Sequence, residues 1–504
     1  MDPNGLPPSR ALAAFTSVER VFDSAFGSAG NPLRHLGSLG FLCFWLLAVS
    51  GLYLYAVLDT SVEGAYRSID ELSHEQWYLG GWLRSLHRYA ADAFVIVTFA
   101  HVLREFLLGR YSHFRRFSWL TGVPLPLFML ACGIGGFWLN WDQLGQFSAL
   151  ATAEFLDWLP FFTSPLTRNF LEAGSVSDRL FSLFVFVHLG VPLLLLFGLW
   201  FHIQRIASAE VFPPRALAVG TSLALTAIAL LVPVMSQAQA DLSVAPGPLA
   251  LDWILLFAHP LAYATSNGVV WSLFGAAMLW LVVLPFLPQP APPAIAKVDP
   301  DNCNGCRRCF DDCPYAAITM RAHPNGKAGR QLAVVDADLC ASCGICVGSC
   351  PSSTPFRSGA QLLTGIDMPQ LPVDALRRRL EAGLAEIKGG RKIVVIGCDH
   401  CTPVNTLGGT DVVPLSLICS GMLPPSFVEY ALRGGASGVL LTGCAEGACA
   451  FRLGTRWTEE RLSGTREPHL RASVPRERLV TAWLPAGDRQ ALAAALDGMR
   501  ARHG

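Results

Sequence analysis

The sequence predicts a multidomain protein that begins with an all-α bundle of six transmembrane helices. A small α+β domain rich in cysteine follows, and then a small α/β domain. Apolar residues make up 52% of the 504 residues and charged residues only 15%, which is typical of a membrane protein. Thirteen of the 15 cysteines lie between residues 303 and 449. After residue 390, strand-like and helix-like segments alternate, which predicts the α/β domain.

Six hydrophobic runs are long enough, or nearly so, to cross a bilayer. They lie near residues 37–57, 89–108, 120–139, 180–203, 216–236 and 269–287. The loops after the second and fourth runs are rich in arginine, whereas loop 58–83 is acidic and loop 237–266 has no Lys or Arg. The positive-inside rule therefore predicts a multi-pass protein of the bacterial inner (cytoplasmic) membrane, with both termini and the cysteine-rich regions in the cytoplasm.

The cysteines come in tight C-x-x-C groups, which indicate metal binding in a reducing compartment rather than a disulfide framework. The formal net charge is zero, so no nucleic-acid partner is expected. The N-terminal stretch lacks the pattern of a cleavable signal peptide. We divide the chain into a membrane domain, a proline-rich linker, a cysteine-rich domain and an α/β domain. Their predicted bounds are 1–287, 288–300, 301–358 and 390–500.

Two of the hydrophobic runs each carry a pair of histidines 14 residues apart, His87 with His101 and His188 with His202. Fourteen residues come within about 40° of whole helical turns, so each pair shares one helix face, about 21 Å apart along the axis. Because both helices cross in the same direction, the pairs lie level with each other. Two imidazoles facing each other could hold a haem iron between them. The alternative is isolated histidines bonded to neighbouring helices, which does not explain the matched spacing.

Glycines repeat the same spacing in the first and third runs. Gly37 and Gly51 are 14 residues apart, as are Gly122 and Gly136. Glycine lets a bulky ring approach a backbone closely. Helix packing at small residues would explain either pair alone, but not why both share the period of the histidines.

Residues 1–290 resemble cytochrome b of the quinol-oxidising bc-type complexes. The residues that carry the resemblance are "RSLHRYAADAFVIVTFAHVLREFLLGRY", "TGVPLPLFMLACGIGGFWLNWDQLG" and the glycine pairs. The resemblance implies two b-type haems and a homodimer. The outer, low-potential haem would be bound by His87 and His188, and the inner, high-potential haem by His101 and His202.

The same resemblance implies that Arg84 and Arg88 lie near haem propionates. The alternative is that both arginines snorkel at the membrane interface.

The last two runs resemble the part of the family that completes the outer quinol site, where the family carries a Pro-Glu-Trp-Tyr signature. In "LALDWILLFAHPLAYATSNG", Asp252 stands for the glutamate and Trp253 for the tryptophan, while Leu251 and Ile254 replace the proline and the tyrosine. Asp252 would then be the catalytic group, a carboxylate that accepts a quinol proton. The chain departs from the family in this signature and in having six helices rather than eight.

The segments "CNGCRRCFDDCP" and "CASCGICVGSCP" both match the C-x2-C-x2-C-x3-C-P run of bacterial two-cluster ferredoxins. In that arrangement the fourth cysteine of each run binds the other cluster, so two 4Fe–4S clusters are expected. The first set of ligands is Cys303, Cys306, Cys309 and Cys350, and the second is Cys340, Cys343, Cys346 and Cys313. Zinc is the alternative, which two complete copies ending in proline disfavour.

Five further cysteines follow in the α/β domain: Cys398, Cys401, Cys419, Cys444 and Cys449. Three of their groups lie near ends of predicted strands, where the loops of α/β folds converge on a ligand. A redox pair of thiols is an alternative. The segment "VVIGCDHCTP…ICSGMLPPSFVEYALRGGASGVLLTGCAEGACAFRLG" resembles the delta (iron–sulfur) subunit of methyl-viologen-reducing hydrogenase. That resemblance implies a 2Fe–2S cluster, for which four of the five cysteines suffice, and a heterodisulfide reductase-like flavoprotein as partner.

These features together predict an oxidoreductase component, a membrane-bound electron-transfer subunit. It would carry electrons between two partners. One is a cytoplasmic redox complex that contains flavin and iron–sulfur centres, and the other is the quinone pool in the membrane lipid. The route would use one 2Fe–2S cluster, two 4Fe–4S clusters and two b haems, while the protein positions them. Two alternatives are a subunit of a bc-type quinol-oxidising complex with a fused ferredoxin, and a redox-sensing membrane anchor.

Overall fold

The computed structural model forms two compact units. The first contains residues 1–34, 205–208 and 289–504, and the second contains residues 35–204 and 209–288. The described residues are 10–161, 163–170, 176–204, 206, 209–244, 247–288, 294–325, 329–359, 361–388 and 390–502. Residues 289–293 of the predicted linker lie outside them.

The second unit is helical. Helix α1 (Arg10–Phe26) belongs to the first unit. The helices of the second unit are α2 (Leu36–Val57), α3 (Gly64–His74), α4 (Trp82–Leu107), α5 (Arg116–Gly122), α6 (Leu125–Asn140), α7 (Gln143–Asp157), α8 (Asp178–Ile203), α9 (Arg215–Leu231), α10 (Ala258–Ala264) and α11 (Asn267–Val283).

Four helical segments of the described chain are long and apolar enough to cross a membrane. They are Leu36–Val57, His113–Asn140, Asp178–Ile203 and Asn267–Phe286. Helix α4 has 26 residues but carries more charged side chains, and α9 has only 17 residues. All six predicted runs are helical over most of their length. The prediction of a membrane protein is confirmed, and four of the six crossings are supported.

Helices α2 and α4 pack together, as do α6 and α8. Their shared core includes Phe44 of α2, Phe94 of α4, Met129 of α6 and Leu195 of α8. Asp142 connects the end of α6 to the later segments of the unit. Its carboxylate accepts the N–H of Gly145 at 2.8 Å, which caps α7, and the N–H of Gln237 at 2.9 Å.

The first unit contains strands and helices. In chain order they are β1 (Lys297–Val298), α12 (Arg308–Asp311), β2 (Ile318–Ala322), β3 (Gln331–Val335), α13 (Ile345–Ser349), β4 (Ile366–Asp367), α14 (Val373–Glu386), β5 (Ile393–Cys398), β6 (Val412–Leu417), α15 (Ser426–Arg433), β7 (Gly438–Cys444), α16 (Gly454–Ser463), β8 (Leu479–Leu484) and α17 (Arg489–Arg502).

Strands β2 and β3 form an antiparallel hairpin, and β1 pairs with β4. Strands β5 to β8 form a parallel sheet in the order β6-β5-β7-β8. Every residue of β5 and β7 is buried, as expected for central strands covered on both faces. The strand order reverses between β5 and β7, and ligands of open α/β sheets bind outside the carboxyl ends at such a point.

One hydrophobic core runs through the cysteine-rich region and the α/β sheet. It contains Ile318 and Val347 of the former together with Val394, Phe427 and Leu441 of the latter. The two regions therefore bury their apolar side chains against each other rather than in separate cores.

Candidate cofactor sites

The four histidines of the membrane unit form two facing pairs. The ring centroids of His87 and His188 are 6.3 Å apart, and those of His101 and His202 are 6.4 Å apart. With a metal–nitrogen bond of about 2 Å, a ring centre lies about 3 Å from the metal, so two axial imidazoles have centroids about 6 Å apart. Both pairs therefore have the spacing that one iron between two imidazoles requires.

The glycines lie against these rings. A Cβ placed on Gly51 would be 3.0 Å from Cε1 of His87, and one on Gly136 would be 3.1 Å from Cε1 of His188. Both distances are shorter than ordinary van der Waals contact, so only glycine leaves each ring its position.

The inner pair repeats this arrangement. A Cβ on Gly122 would be 2.9 Å from Cε1 of His202, and one on Gly37 would be 3.5 Å from Cε1 of His101. Each predicted glycine thus faces one predicted histidine, which gives a physical reason for their common period.

Two further groups orient the outer imidazoles. Nδ1 of His87 lies 3.0 Å from Oγ of Ser50, and Nδ1 of His188 donates to the carbonyl of Cys132 at 3.0 Å. Such a bond fixes the ring and leaves Nε2 as the ligand atom. Sequence reasoning missed both partners, because a lone serine and a backbone carbonyl in an apolar helix produce no pattern.

Arg84 is buried and bonded within the protein. Its guanidinium donates to Oγ of Ser73 at 2.7 Å, to Oγ of Ser236 at 2.9 Å and to Oδ1 of Asn140 at 3.2 Å. It therefore joins α3, the end of α6 and the segment after α9. Its predicted place beside a haem propionate stays a prediction.

Arg88 forms ion pairs with Asp92 and Asp252 and stacks over the ring of Phe137, 5.2 Å from its centroid. The other oxygen of Asp252 accepts the N–H groups of Ile254 and Leu255, both at 2.8 Å. Asp252 thus shapes the backbone after α9 and neutralises Arg88. Its assignment as a quinol base stays a prediction.

The two cysteine runs have the same loop conformation. The residues two and four positions after the first cysteine have positive φ in both runs: Gly305 and Arg307 in the first, Ser342 and Gly344 in the second, with values from 55° to 74°. Successive N–H groups of such loops turn toward one side and favour an anionic ligand. The repeat predicted from the cysteine spacing is thus present in the backbone.

The first cysteine set lines a single cavity. Cys303, Cys306, Cys309 and Cys350 all contribute to its wall. Burial, with the neighbouring thiols of Cys350, Cys306 and Cys303, raises the pKa of Cys309 to about 12. Metal binding must therefore displace its proton, as is general for thiolate ligands.

The second cysteine set is more deeply buried. Burial is the main cause that raises the pKa of Cys346, and the neighbouring thiols of Cys343, Cys340 and Cys313 raise it further. The N–H of Ala317 donates to Sγ of Cys313 at 3.2 Å. In both sets, the fourth cysteine of one run stands with three from the other, so the donor sets fit the crossed ligation of two clusters.

The five C-terminal cysteines gather at one edge of the parallel sheet. Cys398 ends β5, Cys444 ends β7, and Cys419 follows β6 by two residues. These strands flank the point where the strand order reverses. The sheet therefore brings together thiols up to 51 residues apart in the sequence, Cys398 and Cys449.

The five thiols form one open chain of contacts, in the order Cys401, Cys444, Cys398, Cys419 and Cys449. Cys398 meets Cys419 and Cys444, and Cys419 also meets Cys449. The hydrogen bonds from Cys419 and then Cys444 lower the pKa of Cys398, and the same contacts raise the pKa values of Cys419 and Cys444, so Cys398 forms its thiolate more readily than these two neighbours. Cys401 contacts Cys444, and its thiol donates to the carbonyls of Gly443 at 3.1 Å and Leu484 at 3.4 Å.

Three parts of the chain match family models. Residues 27–209 match Cytochrome b/b6/petB, residues 302–354 match the 4Fe-4S dicluster domain, and residues 404–502 match the delta subunit of methyl-viologen-reducing hydrogenase. A solved structure titled "Hyperthermophilic respiratory Complex III" is 19% identical, with 55% of this chain and 82% of that chain covered and a TM-score of 0.40. Asp252, Cys398 and Cys401 lie outside the matched regions.

The chain is thus a multidomain membrane protein of electron transfer. In order, it combines a cytochrome b region, a 4Fe–4S dicluster region and a region of the hydrogenase delta-subunit type, so the resemblances predicted from the sequence are confirmed. The first region implies haem, and the second implies 4Fe–4S clusters.

Replacement of Gly122 by leucine should prevent haem binding at the predicted site of His101 and His202, because the side chain would occupy the space of the His202 ring. We expect haem per chain, measured as the pyridine haemochrome, to fall by about half. Gly190 on α8 provides the control, since nothing lies within 4 Å of a Cβ placed there. Full haem content in Gly122→Leu would contradict this assignment.

Pairs of cysteine substitutions test the crossed ligation. Cys306→Ala and Cys350→Ala should remove the same cluster, so the double variant should lose no more iron than either single variant. Cys306→Ala with Cys313→Ala should lose both 4Fe–4S clusters. Iron and sulfide analysis of the purified chain measures this. The crossed assignment is wrong if Cys350 and Cys313 exchange these roles.

Proposed function

We propose that this chain carries electrons between a cytoplasmic redox complex and the membrane quinone pool. The observation that carries the proposal is the presence of ligand sets in all three regions: two facing imidazole pairs, two sets of four cysteines and a group of five thiols. Haem and iron–sulfur centres would supply reversible one-electron transfer there. An anchor or sensor would not need complete sets throughout.

In the membrane unit, we assign the outer b haem to His87 and His188 and the inner b haem to His101 and His202. The paired rings hold neutral nitrogen donors level with each other, and the glycines behind them leave room for the rings close to the backbone. The surrounding side chains, such as Phe94 and Leu195, are buried and apolar, so they exclude water from the space between the helices.

In the C-terminal domain, we assign a 2Fe–2S centre to Cys398, Cys419, Cys444 and Cys449. These four are consecutive in the chain of thiol contacts, and Gly454 leaves space beside the sulfurs of Cys419 and Cys449. We take Cys401, at one end of this chain of contacts, as the spare thiol, because two backbone carbonyls lie close to its sulfur, that of Gly443 at 3.1 Å and that of Leu484 at 3.4 Å.

Cys401→Ala should therefore keep the absorption and EPR signal of the 2Fe–2S centre, whereas Cys419→Ala should lose them. Both side chains are buried, at 6% and 1% exposure, so burial alone does not distinguish the two variants. The assignment is wrong if Cys401→Ala loses the centre and one of the other four alanine variants keeps it. The cysteine replaced in that variant would then be the spare one.

The partner would be a flavin-containing, heterodisulfide reductase-like complex in the cytoplasm. The membrane unit would form a homodimer in the bacterial inner membrane. Both termini would lie in the cytoplasm. The delta-subunit region supports a soluble redox partner. The arginine-rich loop after α4, with Arg110, Arg115 and Arg116, supports the orientation.

A turnover experiment tests the function. The full chain in lipid nanodiscs is given a reduced viologen dye and either a menaquinone or a ubiquinone analogue. We expect quinone-dependent reoxidation of the b-haem α band, and its loss in Cys444→Ala. Cys43→Ala is the control, since this cysteine belongs to no ligand set.

Three results separate the candidates. Haem that is reduced by the dye but reoxidised by neither quinone refutes the proposal and favours a sensor. Turnover that is blocked by outer-site quinol inhibitors favours the bc-type quinol-oxidising role. Turnover that is insensitive to them supports electron transfer between the quinone and the cysteine sites.

A further inference from the structure

Ligands of two different cofactor sites meet in one buried group of the first unit. Cys343 and Ile345 of the second 4Fe–4S set pack with Cys419, Leu453 and Trp457 of the α/β domain. Cys449 packs against the same group. The thiols assigned to the 2Fe–2S centre therefore share an apolar contact with one particular 4Fe–4S site.

The loops of these two sites approach to backbone contact. A Cβ on Gly421 would be 2.9 Å from Cγ1 of Ile345, and one on Gly344 would be 2.9 Å from Cγ of Met422. Gly348 faces the carbonyl of Gly421 in the same way. Glycines at these positions remove the side chains that would otherwise keep the two loops apart.

A buried arginine joins the loops. Arg461 of α16 is 1% exposed and donates to the carbonyl of Gly421 at 2.8 Å and to that of Ile345 at 3.5 Å. It also pairs with Asp312, which is 3% exposed and precedes the ligand Cys313. A buried ion pair persists only when further hydrogen bonds satisfy it, and here these bonds come from both loops.

The first 4Fe–4S set lies elsewhere in the unit. Among the described residues, the wall of its cavity comes from residues 303–307, 309, 320, 333, 350 and 365–366, all outside the α/β domain. Cys306 is exposed, whereas Cys343 and Cys346 are buried. The two 4Fe–4S sites therefore differ in what they face.

We propose that the C-terminal cysteine site exchanges electrons directly with the site of Cys340, Cys343, Cys346 and Cys313, and that Arg461 is the positioning residue of this junction. The site of Cys303 would then be the next one along the proposed route. One electron leaves one site, which is oxidised, and enters the other, which is reduced; no bond forms or breaks and no proton moves. The reductant is the flavin or iron–sulfur partner of the proposed function, on whose cofactor assignment this inference rests.

Spin coupling tests the order of the sites. In the dithionite-reduced full chain, we expect the 2Fe–2S EPR signal to relax fast because a second paramagnet is near. Cys343→Ala should slow that relaxation, whereas Cys306→Ala should leave it unchanged. Haem spectra and iron counts check that each variant is folded. The opposite pattern, or no change in either variant, would overturn the order.

Substitutions on α16 test the positioning role. Arg461→Gln removes a positive charge beside the Cys343 site, so we expect its midpoint potential to become more negative and the spin coupling to weaken. Arg461→Lys should restore most of the potential. Arg456→Gln is the control, because Arg456 lies on the same helix in an exposed ion pair with Glu460.

An Arg461→Gln chain with lower thermal stability but unchanged potential and coupling would show a merely structural role and refute the positioning role. Should that variant not accumulate, Arg461→Lys and Cys343→Ala still decide between the outcomes. These spectra involve no quinone. Spin coupling between the two sites without quinone turnover would thus refute the proposed function but still support this junction.

Discussion

The membrane unit depends on one constraint: two imidazoles must face each other at a fixed separation, with bare backbone behind each ring. A repeat of 14 residues at 1.5 Å rise keeps the two levels about 21 Å apart on one face of each helix. The glycines of α2, α5 and α6 meet this constraint at every ring. Glycine costs helix stability relative to alanine, about 1 kcal/mol, so its use at Gly51, Gly122 and Gly136 is explained by space rather than by propensity.

The soluble unit solves the corresponding problem with a sheet. Parallel strands place their carboxyl ends at one edge, and Cys398 and Cys444 end the two central strands on either side of the reversal in strand order. Because β5 and β7 are buried along their whole length, the positions of these thiols are fixed by the core rather than by the loops. The cysteine runs of the ferredoxin region instead rely on a repeated loop conformation.

Much of this organisation could be predicted from local patterns in the sequence. The spacing of histidines, glycines and cysteines, and the apolar runs, are short-range features, and each fell on the expected helix, strand or loop. Contacts between distant segments leave no such trace. Arg461 and Asp312 are 149 residues apart in sequence, and the partners of Arg84 come from three segments. Likewise, only the folded chain brings Asp252 to Arg88, a contact that no pattern in the sequence predicts.

The junction between the ferredoxin and α/β regions differs from a docking interface. Redox proteins that meet transiently bury small and comparatively polar surfaces, which lets them separate after transfer. Here the two regions share one hydrophobic core, the glycines bring their loops to backbone contact, and a fully buried ion pair crosses the boundary. Separating them would expose that core and break the ion pair of Asp312 with Arg461. Within one chain, the cysteine sites are therefore held at a permanent separation, and transfer between them needs no encounter step.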